Sequence, residues 1–122
     1  MSEANALQRL HVGQRLSEAA IFNRVVYLAG QVPDDAASQG DIEVQMANVL
    51  QQIDALLAQC GSDKSRILQC QIFLADLADY DGMNRAWDAW VSAGHAPPRA
   101  TVQASLANPA WKVEVVLSAA QI

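Results

Sequence analysis

Ala96-Pro97-Pro98-Arg99-Ala100-Thr101-Val102-Gln103-Ala104, followed by Asn108-Pro109-Ala110-Trp111-Lys112-Val113-Glu114-Val115, is the stretch on which the reading of this chain turns. A prolyl pair delivers one arginine to the first position of a short alternating strand, and the next strand carries one glutamate amid valines. Alternation places Arg99, Thr101 and Gln103 on one face and Ala100, Val102 and Ala104 on the other. An arginine fork grips a carboxylate through two parallel hydrogen bonds, which a lysine cannot do. The chain has only eight basic residues, so an arginine held where the backbone is pinned is a candidate anchor for a carboxylate-bearing ligand. The bland alternative is a surface arginine paired with a nearby Asp or Glu. Glu114, one strand further on, is a candidate for orienting a water and shuttling a proton. Its structural alternative is an ion pair with Lys112 or Arg99 at a subunit interface.

Working outward, the helix before this stretch has the apolar stripe Tyr80, Met83, Trp87, Trp90 and Val91, with Asp79 as its cap and Gly94 to Pro98 closing it. Asn84 falls on the apolar side of that helix, where a buried amide must find partners. It either lines a site or ties the helix to a carbonyl beneath. Residues 66–74 alternate, with Leu68, Cys70, Ile72 and Leu74 on one side and Ile67, Gln69, Gln71 and Phe73 on the other. Asp41 caps a long helix whose stripe is Ile42, Met46, Val49, Leu50, Ile53, Leu56, Leu57 and Cys60, ended by Gly61. Its opposite face, with Glu43, Gln45, Asn48, Gln52 and Asp54, reads as solvated. Upstream, Asp34 to Gly40 is a polar loop. Val25 to Ala29 is apolar throughout and reads as a strand buried on both faces, stopped at Gly30-Gln31-Val32-Pro33. Gly30 either ends that strand or lets backbone approach a ligand closely. Short strands are expected near 7–13 and 17–22, and the last two near 99–105 and 111–119.

The predicted order is three strands, helix, strand, helix, two strands. Two helices cover one face of such a sheet. Strands apolar on both faces leave the other face in need of a partner, and a second copy is the simplest one, so an obligate homo-oligomer is expected.

At 122 residues the chain is one domain, and 52% apolar with 6% aromatic residues is the composition of an ordinary globular protein. A net charge of −5 with scattered Lys and Arg argues against a nucleic-acid partner. No apolar run approaches the ~20 residues of a membrane span. Met1-Ser2-Glu3-Ala4-Asn5 does not begin a signal peptide, so a cytoplasmic location is expected. Cys60 and Cys70 lack metal-clip spacing and read as packed thiols. His11 and His95 have no ligand-spaced neighbours, so no metal site is expected. There is no phosphate-cradling glycine loop and no nucleophile elbow.

Together these residues resemble the RidA/YjgF family of enamine and imine deaminases, from about residue 15 to the C-terminus. The likeness is carried by Leu28-Ala29-Gly30-Gln31-Val32-Pro33, by Ser65 to Asp76 ending Ile72-Phe73-Leu74-Ala75-Asp76, by Met83-Asn84 with Ala86-Trp87, and by Pro98-Arg99-Ala100-Thr101-Val102 with Val113-Glu114-Val115. Asp88-Ala89-Trp90-Val91, Gly94-His95-Ala96-Pro97 and Asn108-Pro109 are most similar to the YoaB-like branch. The resemblance implies an α+β fold like that of chorismate mutase, a mixed six-stranded sheet with two helices packed on one face. It implies a homotrimer with a central barrel and sites in the clefts between subunits.

It further implies hydrolysis of 2-imino acids such as 2-iminopropanoate to 2-oxo acids and ammonia, without a cofactor. Arg99 would hold the carboxylate, Glu114 would position the water, and Gly30, Asn84 and Thr101 would line the pocket. The familiar deaminases carry a cysteine where this chain has Thr101, a serine at Ala29 and a tyrosine nearest Leu16, which bears on substrate identity. A non-catalytic trimer that binds 2-oxo acids is the alternative. A ribonuclease or translation inhibitor fits the acidic composition poorly.

Overall fold

The structure is a computed structural model describing residues 6–122; Met1–Asn5, read above for a targeting signal, lie outside it. The chain runs β1 (Gln8–Val12), β2 (Ser17–Phe22), β3 (Val25–Leu28), α1 (Ile42–Gln59), β4 (Ile67–Leu74), α2 (Tyr80–Trp90), β5 (Arg99–Gln103) and β6 (Val113–Ala120). The strands form one six-stranded sheet in the order β1-β2-β3-β6-β4-β5. Every pairing is antiparallel except β4 with β5, the edge pair. That parallel pairing requires a crossover, and α2 supplies it.

Local chemistry explains the boundaries. Asn23 and Arg24 both have positive φ, the two-residue turn that matches the twist of the β2–β3 hairpin. The Asp41 carboxylate accepts from the Val44 amide and caps α1, and Gly61, at φ +74°, follows the helix end. Asp79 makes no side-chain cap at α2; the Asp76 carboxylate instead caps the short 3₁₀ turn before it by accepting from Ala78.

Both helices pack on one face of the sheet. Val26, Leu28, Ile72, Leu74, Val113 and Val115 from the strands meet Met46, Val49, Leu50, Ile53, Leu57 and Met83 from the helices, all essentially inaccessible to water. Each such side chain contributes about 1.5–3 kcal/mol on burial. Gly82 brings the helices together, since a Cβ there would stand 2.5 Å from Ile42 Cγ2.

Beyond the Asp79 cap, three expectations need correction. Ile67 is core-facing and Leu68 exposed, because a register irregularity between Ile67 and Gln69 reverses the alternation at the start of β4. Gln45 is fully buried, not solvated, because its amide joins three loop carbonyls and one loop amide into the helix layer. The third concerns β3, which within one chain is buried only on its helix side: Val26 and Leu28 are core, while Tyr27 is 53% exposed on the open face, the face left for a second copy. No helix among the described residues is long and apolar enough to cross a membrane.

Candidate functional site

Arg99 opens β5 directly after Pro98, whose carbonyl accepts from the Cys70 amide at 3.0 Å and so pins the start of the strand. The register pairs Arg99 with Cys70 and Thr101 with Ile72. Both side chains therefore project to the helix side of the sheet, at its edge, where one face of the crossover helix α2 flanks Arg99.

The Arg99 guanidinium lies 4.9 Å from the centre of the Trp87 ring, and its Nη2 donates to the Tyr80 hydroxyl at 3.3 Å. Tyr80, Asn84 and Trp87 recur at helical spacing on the α2 face that meets β5. Asn84 is half-buried between them. The Thr101 hydroxyl oxygen is buried with no hydrogen-bond partner. The ion pair found among the described residues joins Arg85 to Glu43, so neither Arg99 nor Glu114 has an oppositely charged partner. Cys70 lies beneath Arg99, and burial pushes its thiol up to about 12, with the Arg99 charge opposing only in part. Burial raises Cys60 too, so both are packing thiols.

Glu114 belongs to a different surface. Its register partner is Phe73, on the open face of the sheet, whereas Val113 and Val115 on either side of it are core. Gly30 lies against its carboxylate, because a Cβ at Gly30 would stand 2.3 Å from Glu114 Oε2. Gln31 holds that contact in place. Its amide and carbonyl bridge Val115 at 2.8 and 3.0 Å, and its buried side chain donates to the Ala29 carbonyl and the Glu18 carboxylate at 3.1 and 3.2 Å.

The candidate residues thus form two half-sites: Arg99, Thr101 and Asn84 on the helix side, Glu114 and Gly30 on the open side. Arg99 and Glu114 are not one strand apart, because β4 lies between β5 and β6. They also face opposite ways. One chain cannot bring them onto one small ligand. Of the positions where the sequence departs from the familiar deaminases, Leu16 is 58% exposed just before β2, Ala29 is half-buried beside Gly30, and Thr101 is in the Arg99 half. His11 bonds Gln59, and His95 bonds locally to Ser92 and Ala93.

Sequence reasoning missed Tyr80 and Trp87 as partners of Arg99, reading them only as an apolar stripe. The available signal was a Tyr and a Trp flanking Asn84 on one helix face. It also missed Gln31, which no local pattern marks.

The profile of the endoribonuclease L-PSP family matches residues 6–121. The RutC family protein YoaB of Escherichia coli is 51% identical over 112 residues, covering 92% of this chain and 96% of that one. A YjgF-family crystal structure from Neisseria meningitidis superposes with a TM-score of 0.93 at 42% identity, covering 98% of each chain. The rat 2-iminobutanoate/2-iminopropanoate deaminase is more distant, 24% identical over 109 residues, which are 86% of this chain and 79% of that protein. With a family profile spanning nearly its whole length and a half-identical YoaB relative, the chain belongs to the RidA/YjgF family, in its YoaB-like branch.

Proposed function

We propose that this protein hydrolyses small carboxylate-bearing imines or enamines of the 2-iminopropanoate type to 2-oxo acids and ammonia, at sites shared between neighbouring copies of a homotrimer. The observation that carries the reading is the state of Arg99. Arg99 is half-buried and its guanidinium is held by a tyrosine and a tryptophan, with no carboxylate among the described residues to neutralise it. An arginine fork held in that state, its charge unpaired, is suited to gripping a carboxylate. Glu114 and Gly30 face away from it, so a second subunit must supply them. The open sheet face, where Tyr27, Phe73 and Val116 lie among polar residues, is the surface on which copies would meet.

The chemistry is modest. Water adds across C=N, a proton moves to nitrogen, and the resulting amino alcohol expels ammonia to leave the 2-oxo acid. Arg99 fixes the substrate by its carboxylate. Glu114 passes one proton from the attacking water to the imine nitrogen, then relays the proton of the new hydroxyl to the departing amine as the C–N bond breaks. Neither electrons nor a group carrier are required, so the residues named suffice. The name of the rat relative supports this reaction class. Leu16, Ala29 and Thr101 mark where the substrate preference of this chain would diverge.

The test is hydrolysis of freshly generated 2-iminopropanoate. The wild type should accelerate it, and Arg99→Ala should lose about 10²-fold or more, as expected when one partner of a buried charge-assisted pair is truncated, with its oligomer intact. If folded wild-type protein binds 2-oxo acids without any turnover, it is a metabolite-binding trimer instead. If Arg99→Ala dissociates the oligomer, Arg99 is structural.

A further inference from the structure

We propose that Tyr80 and Trp87 are positioning residues that set the carboxylate affinity of this site by holding the Arg99 guanidinium, and that the Tyr80 hydroxyl lends its own proton to the bound carboxylate. The inference rests on the carboxylate reading of Arg99 and goes beyond it in naming what makes that arginine a competent anchor. An arginine side chain at the edge of a sheet has many rotamers, and freezing them on binding weakens affinity. Two contacts freeze them beforehand.

The first is the Trp87 ring, 4.9 Å beneath the guanidinium. This ring is itself rigid: it is 6% exposed and lies at 54° to the Trp90 ring, with centroids 5.4 Å apart. Trp90 is anchored in turn. Its Nε1 donates to both Asp54 oxygens at 3.0 Å, and Lys64 sits over its ring at 5.3 Å while donating to the Trp90 carbonyl. A chain of contacts therefore runs from α1 through two tryptophans to Arg99. A cation over an aromatic face is held through its charge, so this contact restrains the fork without consuming its N–H donors.

The second contact is the Tyr80 hydroxyl, which accepts from Nη2 at 3.3 Å. Tyr80 is 41% exposed, so its ring is not a core element. A hydroxyl that accepts still has one proton to donate. Placed against the guanidinium, that proton is offered where an anion's oxygen would sit. Other hydrogen-bonding groups on this face are the half-buried Asn84 amide, the unpartnered Thr101 hydroxyl and Gln103, whose Oε1 accepts from the Leu77 amide, none of them charged.

Tyr80→Phe removes one oxygen at a partly exposed position. Two readouts are taken: pyruvate affinity by calorimetry, and nitrogen relaxation of the Arg99 Nε–H in ligand-free protein. The expected result is a Kd for pyruvate raised about two- to tenfold, the range for one hydrogen bond, a more mobile Arg99 side chain and an unchanged melting temperature. Trp87→Leu should weaken pyruvate binding about threefold or more, and Trp87→Phe should restore most of it, because a ring face is what is needed.

Unchanged affinity and unchanged Arg99 mobility in Tyr80→Phe would overturn the inference while leaving the carboxylate site standing. A loss of affinity that merely follows a loss of melting temperature would overturn it as well. If wild-type protein binds no pyruvate, the carboxylate reading fails and takes the affinity claim with it. The relaxation measurement, made without ligand, then still decides whether Tyr80 and Trp87 hold the arginine.

Discussion

Arg99 and Gly30 show how much a single position carries here. Pro97-Pro98 before an arginine marked the start of a strand, and the strand starts there; alternation then placed Thr101 with Arg99, as observed. What surrounds Arg99 was not readable, because Tyr80 and Trp87 come from a helix whose docking angle no local pattern states. Gly30 is the sharper case. It follows the end of β3 at Leu28, as a strand terminator does, and the Glu114 carboxylate occupies the space a side chain would fill. The backbone of Gly30 is not among those with positive φ, so alanine is conformationally acceptable there. Gly30→Ala should therefore fold normally, with less than about 1 kcal/mol change in urea unfolding. It should also displace the Glu114 carboxylate and reduce imine hydrolysis about 10- to 100-fold, the scale of an ångström's misplacement. Retention of full turnover would remove Glu114 from the reaction.

The elements were legible wherever the period was clean. The α1 stripe is the core stripe, and its Asp cap and terminal glycine sit where they were read. Gln45 is the instructive exception, a polar residue that the helical wheel assigns to water. Its side chain donates to the Ser38, Gly40 and Ala110 carbonyls at 3.3, 3.2 and 3.1 Å and accepts from the Lys112 amide at 2.8 Å. It thereby ties the start of α1 to the loop that launches β6 and Glu114. A wheel counts residues within a helix and is blind to loops folded over it. Gln45→Leu keeps the volume but leaves those backbone groups unpaired, so unfolding in urea should show a loss of about 2–4 kcal/mol. A near-neutral effect would mean that water replaces the amide. The register slip at Ile67 is a second limit of pattern reading, since one irregularity inverts which residue is buried.

At the scale of the whole molecule, the decisive fact is that the two half-sites face opposite sides of one sheet. The open side is a hollow of about 310 Å³ bordered by Tyr27, Gln69, Gln71, Val116 and Ser118, with Phe73 on the same face. If copies meet there, equilibrium sedimentation should give about three times the 13.1 kDa of one chain. Val116→Asp, a charge at a half-buried position of that face, should give monomers that retain their helix content but have no imine hydrolysis. A wild-type monomer with full activity would refute the shared site.

The sequence by itself determined the order and type of the elements, the helix-facing core and the family to which the chain belongs. These follow from periodicity, caps and short motifs, which are local in the chain. Only the tertiary structure decided that β4 separates Arg99 from Glu114, that the two point opposite ways, that Gln45 is buried and that aromatic side chains hold the arginine. Those facts depend on strand order, register and helix docking. Each is a relation between segments distant in sequence, selected by the burial of the whole core rather than by any stretch within it.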